Sequence, residues 1–267
     1  MKKKFLADIK YLICALNPFS TRIAIKIEAN ELKLYAYKWD VIGRHLFKFG
    51  QYDPFLSDWL ISRFRKTGGN FIDIGANLGY FTCLLGKLAG PSGTVLSVEP
   101  EPNNLKLLES NIAINLLTEK IKVFRVALGA EIGTAKLNLY KNSNRGRHSL
   151  VSKSTGGTIE VPIRKLDDLV DEIFSSGQRI DFLKMDVEGY EPFVVQGGLN
   201  TLYRVDNMVM EYAPFILKNS NADLKVFLNT LYEIFPNVYL IGKSSMSKIT
   251  MEQVIEKNDS VDLFFQK

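Results

Sequence analysis

Asn70-Phe-Ile-Asp-Ile-Gly-Ala-Asn-Leu-Gly-Tyr80 carries the reading of the fold. Residues 70–74 form an apolar run, Gly75 and Gly79 mark a turn, and residues 80–89 read as a helix. A short apolar run bounded by turn residues is the pattern of a strand buried on both faces. Glycine in such a turn supplies positive φ or a close backbone approach. Outward from this unit the same rhythm repeats. Strands are predicted at 94–98, 121–128, 182–185, 207–211, 238–241 and 261–265, with helices at 102–117, 166–174, 191–202 and 222–235. Alternating strands and helices imply a mostly parallel sheet with helices on both faces. Two alternating stretches, 135–140 and 158–163, flank a polar loop at 141–147 and read as a β insertion. Upstream, 22–28 and 32–37 suggest a hairpin turning near Asn30, followed by aromatic-rich segments around 47–59. The chain divides into an N-terminal extension, 1–66, and one α/β domain, 67–267.

Asp73 lies at the end of the first strand, and Glu99 closes the second, twenty residues after Gly79. An acid at that spacing is placed to accept from a ribose diol. Three nucleotide readings compete. A P-loop needs Gly-Lys-Ser/Thr, which is absent. A dinucleotide fingerprint needs three glycines, but Asn77 replaces the second and the third is missing. S-adenosylmethionine has no phosphate and carries a sulfonium and an amino acid. An acidic strand end suits it better than it suits a pyrophosphate.

Further motifs lie along the chain. They are Tyr52-Asp-Pro54, Phe71-Ile-Asp-Ile-Gly-Ala-Asn-Leu-Gly79, Ser97-Val-Glu-Pro-Glu-Pro102, Asn111-Ile-Ala-Ile-Asn115, Val126-Ala-Leu-Gly129, Val161-Pro-Ile-Arg-Lys-Leu-Asp-Asp-Leu169, Lys184-Met-Asp-Val-Glu-Gly-Tyr-Glu191 and Met210-Glu211. In that order, over residues 50–212, they resemble the FkbM family of class I S-adenosylmethionine-dependent methyltransferases. Asp53 stands where glutamate is more usual in the family. The resemblance implies a Rossmann-like, seven-stranded sheet of order 3-2-1-4-5-7-6. It also implies methyl transfer, usually to a hydroxyl of a sugar, a glycolipid or a polyketide-type product. It would set Asp73, Gly75, Asn77, Gly79, Glu99 and Ala127 at the cofactor.

Ligands of open α/β sheets sit at the carboxyl ends of the strands. Asp73, Glu99, Asp186, Glu188 and Glu211 all lie at or just past such ends, so they are expected on one rim. An aliphatic hydroxyl needs a base or a Lewis acid, and a general base typically contributes about 10²–10⁴-fold. Asp186, Glu188, Glu211 and His148 are the candidates for catalysis. The three acids would suit Mg²⁺ or Ca²⁺, but no closely spaced Asp pair is evident and no metal is assigned. His148 titrates in the useful range and lies in the loop Asn144-Arg-Gly-Arg-His-Ser149, where Arg145 and Arg147 would bind an anionic acceptor or keep the loop soluble. His45 and Cys83 read as packing residues. Asp167-Asp168 reads as a helix N-terminal charge pair.

The net charge is +5, from 34 Lys+Arg against 29 Asp+Glu. Lys2, Lys3, Lys4, Lys10 and Asp8 lie in the first ten residues; without them 30 basic residues face 28 acidic, or +2. A nearly neutral body argues against a nucleic-acid partner. Two cysteines and no His/Cys cluster exclude a disulfide scaffold and a zinc site. In residues 2–16, Phe5, Leu6, Ile9, Leu12, Ile13 and Leu16 fall on one helical face. That helix either packs on its own domain or, being basic and amphipathic, rests on a membrane or a partner protein. Asp8 and Lys10 interrupt the apolar run, so neither a cleaved signal nor a membrane span is expected. The expected location is the cytoplasm, with peripheral membrane contact through residues 2–16 as the alternative. An oligomer is compatible with the sequence. Two other function classes stay open: an N- or C-methyltransferase on RNA or protein, and a non-catalytic partner-binding module.

Overall fold

A computed structural model describes residues 2–27, 31–141, 144–153 and 155–267, with side chains from residue 8 onward. The expected turn near Asn30 and part of the 141–147 loop lie outside the described residues. The chain opens with α1 (Lys2–Leu16), a hairpin of β1 (Arg22–Ile27) and β2 (Leu32–Tyr37), then α2 (Val41–Phe49) and α3 (Pro54–Phe64). The domain proper begins with β3 (Phe71–Ile74), α4 (Tyr80–Leu88), β4 (Val95–Val98), α5 (Pro102–Ile114) and β5 (Ile121–Phe124). β6 (Ala127–Leu128), β7 (Gly133–Asn138) and β8 (Thr158–Arg164) follow. Next come α6 (Leu166–Ile173), β9 (Phe182–Met185), α7 (Glu191–Gln196), α8 (Leu199–Leu202), β10 (Asn207–Tyr212) and α9 (Pro214–Leu217). The last elements are α10 (Leu224–Ile234), β11 (Asn237–Ile241), β12 (Met246–Lys248), α11 (Met251–Ile255) and β13 (Val261–Gln266).

The central sheet runs β12-β11-β13-β10-β9-β3-β4-β5. Seven of these strands reproduce the order 3-2-1-4-5-7-6, and the short β12 adds an eighth at the edge, antiparallel to β11. β5, β4, β3, β9 and β10 are mutually parallel, and β13 is antiparallel to both neighbours. Alternation along the strands divides the core in two. Phe71, Val95, Phe182, Val209 and Phe264 face α3, α4, α5 and the hairpin. Ile72, Leu96, Leu183, Met208 and Leu263 face the helices that follow the insertion. The N-terminal extension belongs to the first of these cores. Ile25, Leu34, Leu46, Leu60 and Phe64 are buried there, and Trp59 stands 4.8 Å from Phe264, ring to ring.

Two sequence expectations need correction, and two are extended. The strand at 121–128 is two strands. Beyond Phe124 its neighbour β4 has ended, so the chain bends and Ala127 pairs with Ile163 in a separate sheet, β6-β8-β7. The helix at 191–202 breaks at Gly197-Gly198. A Cβ on Gly197 would stand 2.1 Å from the Gly129 carbonyl oxygen, so a helix with side chains cannot pass there. The aromatic-rich stretch 47–59 contains parts of two helices, each started by an aspartate. Asp40 accepts from the Ile42 and Gly43 amides, and Asp53 accepts from the Leu56 amide. Asp167 and Asp168 lie in the first turn of α6 as expected, and Asp167 also caps α8 through the Asn200 and Thr201 amides.

Candidate active site

Period-two alternation puts an acid or lysine near the carboxyl end of several strands on one face of the sheet. Phe71 is followed by Asp73, Phe182 by Lys184 and Val209 by Glu211, and Asp262 precedes Phe264. Asp73 pairs in register with Lys184 on one side and Ser97 on the other, and Glu211 pairs with Asp262. Just past the strand ends stand Glu99, Asp186 and Glu188. Asp73, Glu99, Lys184, Asp186, Glu188 and Glu211 line one cavity at the carboxyl edge. The five acids expected on one rim are therefore brought together.

The glycine turn is shaped by protein contacts. Gly75 has φ +78°, and a Cβ there would lie 1.9 Å from the Asp186 carbonyl oxygen. Gly79 has φ +90°, and its Cβ would lie 2.5 Å from Leu108 Cδ1. The two glycines thus let the turn close on the neighbouring strand end and on α5. Asn77 also has positive φ, and its amide donates to Glu99 Oε2 at 2.7 Å. Glu99 Oε1 accepts from the Glu101 amide at 2.9 Å. Burial pushes the Glu99 carboxyl up to about 7, against the pull of these amides.

Asp73 is fully buried. Its Oδ2 accepts from Thr82 Oγ1 at 2.5 Å, and its Oδ1 has no partner among the described residues. Burial raises its pKa, opposed by the Lys184 charge. Lys184 Nζ lies 3.1 Å from Asp186 Oδ2 and 5.5 Å from the Phe81 ring centre. Burial works to discharge that ammonium, but Asp186 and Asp73 outweigh it, so its pKa lies above the usual lysine value. Sequence reasoning missed Lys184. The available signal was a lysine inside the apolar strand Phe-Leu-Lys-Met.

Asp186, Glu188 and Glu211 converge: one carboxylate oxygen from each lies within 4.8 Å of the others. Like charges this close cannot all stay ionised cheaply. Burial, with Asp186 next, pushes Glu188 up to about 8 and Glu211 to about 9. Glu188 has φ +53°, a conformation that ordinarily costs an L-residue roughly 1–2 kcal/mol. Two contacts hold its loop: Glu191 Oε1 accepts from the Val187 and Gly189 amides, and Ser149 Oγ donates to the Glu188 carbonyl. Tyr52 also lines this end of the cavity, its phenol pushed up to about 12 by burial and the nearby acids. Among the described residues these three acids form the one cluster whose oxygens could converge on a cation.

The loop at 144–149 covers the cavity. The Arg145 amide donates to Asp40 Oδ1 at 3.0 Å, tying the loop to the start of α2. Val41, Ile42, Gly146, Arg147 and His148 all line the wall. His148 Nδ1 accepts from the Tyr140 amide at 2.9 Å, so the neutral ring carries its proton on Nε2, which has no partner among the described residues. In that tautomer His148 can donate into the cavity but offers no free lone pair. Burial lowers its pKa. Ala127 lines the opposite wall. His45 packs against Phe49 and Tyr52, and Cys83 is buried in α4.

The strand order, the antiparallel seventh strand and a cavity at the carboxyl edge define a Rossmann-like fold of the class I methyltransferase type. The profile described as the methyltransferase FkbM domain matches residues 73–236, and the chain belongs to that family. Over 153 residues it is 28% identical to methyltransferase sdnD of Sordaria araneosa, covering 47% of this chain and 59% of that protein. Over 159 residues it is 24% identical to methyltransferase 1 of Beauveria bassiana, covering 52% and 63%. The match thus spans less than two thirds of either relative. Among solved structures it is similar to a methyltransferase FkbM from Methylobacillus flagellatus, with 16% identity, TM-score 0.48, and coverage of 74% of this chain and 43% of that one. It is also similar to an O-methyltransferase from Bacillus cereus in complex with SAH, with 14% identity, TM-score 0.44, and coverage of 81% and 83%. Among the described residues, no helix is long and apolar enough to cross a membrane.

Proposed function

We propose that the protein transfers a methyl group from S-adenosylmethionine to a hydroxyl of a sugar, glycolipid or secondary-metabolite acceptor. The observation that carries this reading is one cavity holding two acidic sets. Asp73 and Glu99 flank the glycine turn, and Asp186, Glu188 and Glu211 lie beyond it. The first set fits a cationic nucleoside. Asp73 Oδ1 is a buried acceptor without a partner among the described residues, and Glu99 Oε2 keeps a lone pair after taking the Asn77 amide, while Oε1 takes both the Glu101 amide and the Asn104 side-chain amide. Asp73 and Glu99, with the turn at Gly75, Asn77 and Gly79 and the wall at Ala127, would hold the methyl donor. When bound, S-adenosylmethionine supplies an electrophilic methyl group on a sulfonium.

The rest is the work of the chain's own residues, and much of it is alignment. Lys184 holds the Asp186 carboxylate in place. Glu211, with Glu188 beside it, accepts the acceptor hydroxyl's proton. A base with a pKa raised toward 8 or 9 is matched to that task near neutral pH. His148 serves as a donor to an acceptor oxygen, since its Nδ1 is already engaged. Arg147, on the covering loop, faces the same cavity and suits an acceptor bearing negative charge.

Titration calorimetry with S-adenosylmethionine tests the donor half. Binding is expected, and it should be lost in Asp73→Ala and Glu99→Ala. A folded protein that takes up no donor would overturn the reading. The acceptor half is tested by mass spectrometry of cell extracts incubated with enzyme and donor, where a product one methylene heavier, methylated on oxygen, is expected.

A further inference from the structure

The helix α1 packs on the domain with the wrong face for its sequence. Tyr11 and Ala15 are buried, and the Tyr11 hydroxyl donates to the Lys38 carbonyl. The apolar stripe points away. Ile9, Leu12, Ile13 and Leu16, at i, i+3, i+4 and i+7, are 40%, 50%, 66% and 63% exposed. Phe19, just past the helix, is 96% exposed. Single exposed apolar residues are ordinary, but a stripe of four at helical spacing marks a surface that meets something.

Charge identifies what it meets. Asp8, the acid of this helix, is partly exposed but compensated, ion-paired to Lys48 and 3.9 Å from Arg44 on α2. The helix therefore offers no uncompensated acid outward, while Lys2, Lys3, Lys4 and Lys10 give the segment its positive charge. Three of the five units of the protein's excess charge belong to this segment of the sequence. An exposed apolar face on a lysine-rich helix too short to span is the pattern of a helix lying in a lipid–water interface.

We infer that α1 docks the protein on an anionic lipid surface, with Ile9, Leu12, Ile13 and Leu16 entering the headgroup–acyl boundary. The contact does not depend on the proposed chemistry. It does have a geometric consequence: α1 packs on α2, and α2 supplies Val41 and Ile42 to the cavity wall. The docked helix and the cavity share a structural element.

The test is co-sedimentation of the full chain with phosphatidylcholine vesicles, with and without phosphatidylglycerol. Binding to the anionic vesicles, weakened by salt, is expected. Each lysine near such a surface adds about fivefold to the partition, so Lys2→Gln, Lys3→Gln and Lys4→Gln together should lower it about a hundredfold. Ile13→Glu with Leu16→Glu should abolish it without changing the melting temperature, since both side chains are exposed. Three results would overturn the inference. One is equal or absent binding to the two vesicle types. Another is retained binding in the Ile13→Glu/Leu16→Glu variant, which would mean adsorption by charge alone. The third is a solution dimer broken by that variant, with no vesicle binding, which would assign the stripe to a second copy.

Discussion

Lys184 Nζ lies 3.1 Å from Asp186 Oδ2, while the backbone of Lys184 pairs in register with Asp73 on the adjacent strand. One ammonium thus serves both halves of the cavity. Removing one partner of a buried ion pair typically costs about 3–5 kcal/mol. Asp186 is 41% exposed, so water screens part of that loss. Lys184→Met is therefore expected to lose about 2–4 kcal/mol in urea denaturation. Adding Asp73→Asn should recover part of the loss, because the orphaned buried charge goes with it. Strict additivity of the two substitutions would mean that lysine and aspartate are not coupled.

The open, mostly parallel sheet was legible because most apolar runs are followed by a helix, its strand order came only with the family resemblance, and a charge at the end of an apolar run marks the carboxyl edge. Asp73, Glu99, Asp186, Glu188 and Glu211 were found that way. Lys184 was not: its bonded partner Asp186 lies two residues on, but Asp73, the other acid acting on it, is remote in sequence and meets it only through strand register. The α2 and α3 helices were hidden by aromatic residues that blur the helical period, although Asp40 and Asp53 carried the cap signal. The outward direction of the α1 stripe was also illegible. It follows from Tyr11 packing edge-on to Phe47, with ring centres 5.5 Å apart, a contact set by α2. The bend after Phe124 depends on where the neighbouring strand stops.

The clustered acids predict the pH dependence of the rate. Glu188 and Glu211 are raised to about 8 and about 9, and a base acts only when unprotonated. The rate should climb with pH from 7 and level off above the upper value, in steps belonging to the cluster as a whole. Glu211→Gln is expected to lower turnover by about 10²–10⁴ while donor affinity measured by calorimetry stays within a few-fold. A single step below pH 7 that vanishes in His148→Asn would transfer the base role to the histidine.

The same groups predict how stability varies with pH. Burial raises Glu99 and Glu191 to about 7 from an ordinary 4.5, and Asp262 to about 6 from 3.8, alongside Glu188 and Glu211. A carboxyl with a raised folded pKa binds its proton more tightly in the native state. Stability therefore falls as pH rises between the unfolded and folded values. Lys184 and Arg147 oppose the shift at Glu188, and Asp186 reinforces it. The melting temperature should drop from pH 5.5 to pH 9, at about 2–4 °C for each kcal/mol lost. Glu211→Gln should flatten that slope. A melting temperature that rises across the window would show that the acids are better solvated than the fold implies.

Asp40 joins the N-terminal extension to the loop over the cavity. Its Oδ2 accepts from the Ile42 and Gly43 amides and its Oδ1 from the Arg145 amide. Asp40→Ala removes a helix cap, worth about 0.5–2 kcal/mol, and strips the Arg145 amide of its acceptor, worth about 1–3 kcal/mol more. The loop should then open more often, and trypsin should cut after Arg145 or Arg147 faster than in the parent protein. Asp53→Ala supplies the control. Asp53 caps α3 through the Leu56 amide and, among the described residues, makes no hydrogen bond to the loop. It should lower stability by a similar cap increment without exposing the loop. Equal cleavage rates in the two variants would mean that trypsin reads global unfolding. Faster cleavage confined to Asp40→Ala would identify the extension as the clamp that holds the cavity's cover in place.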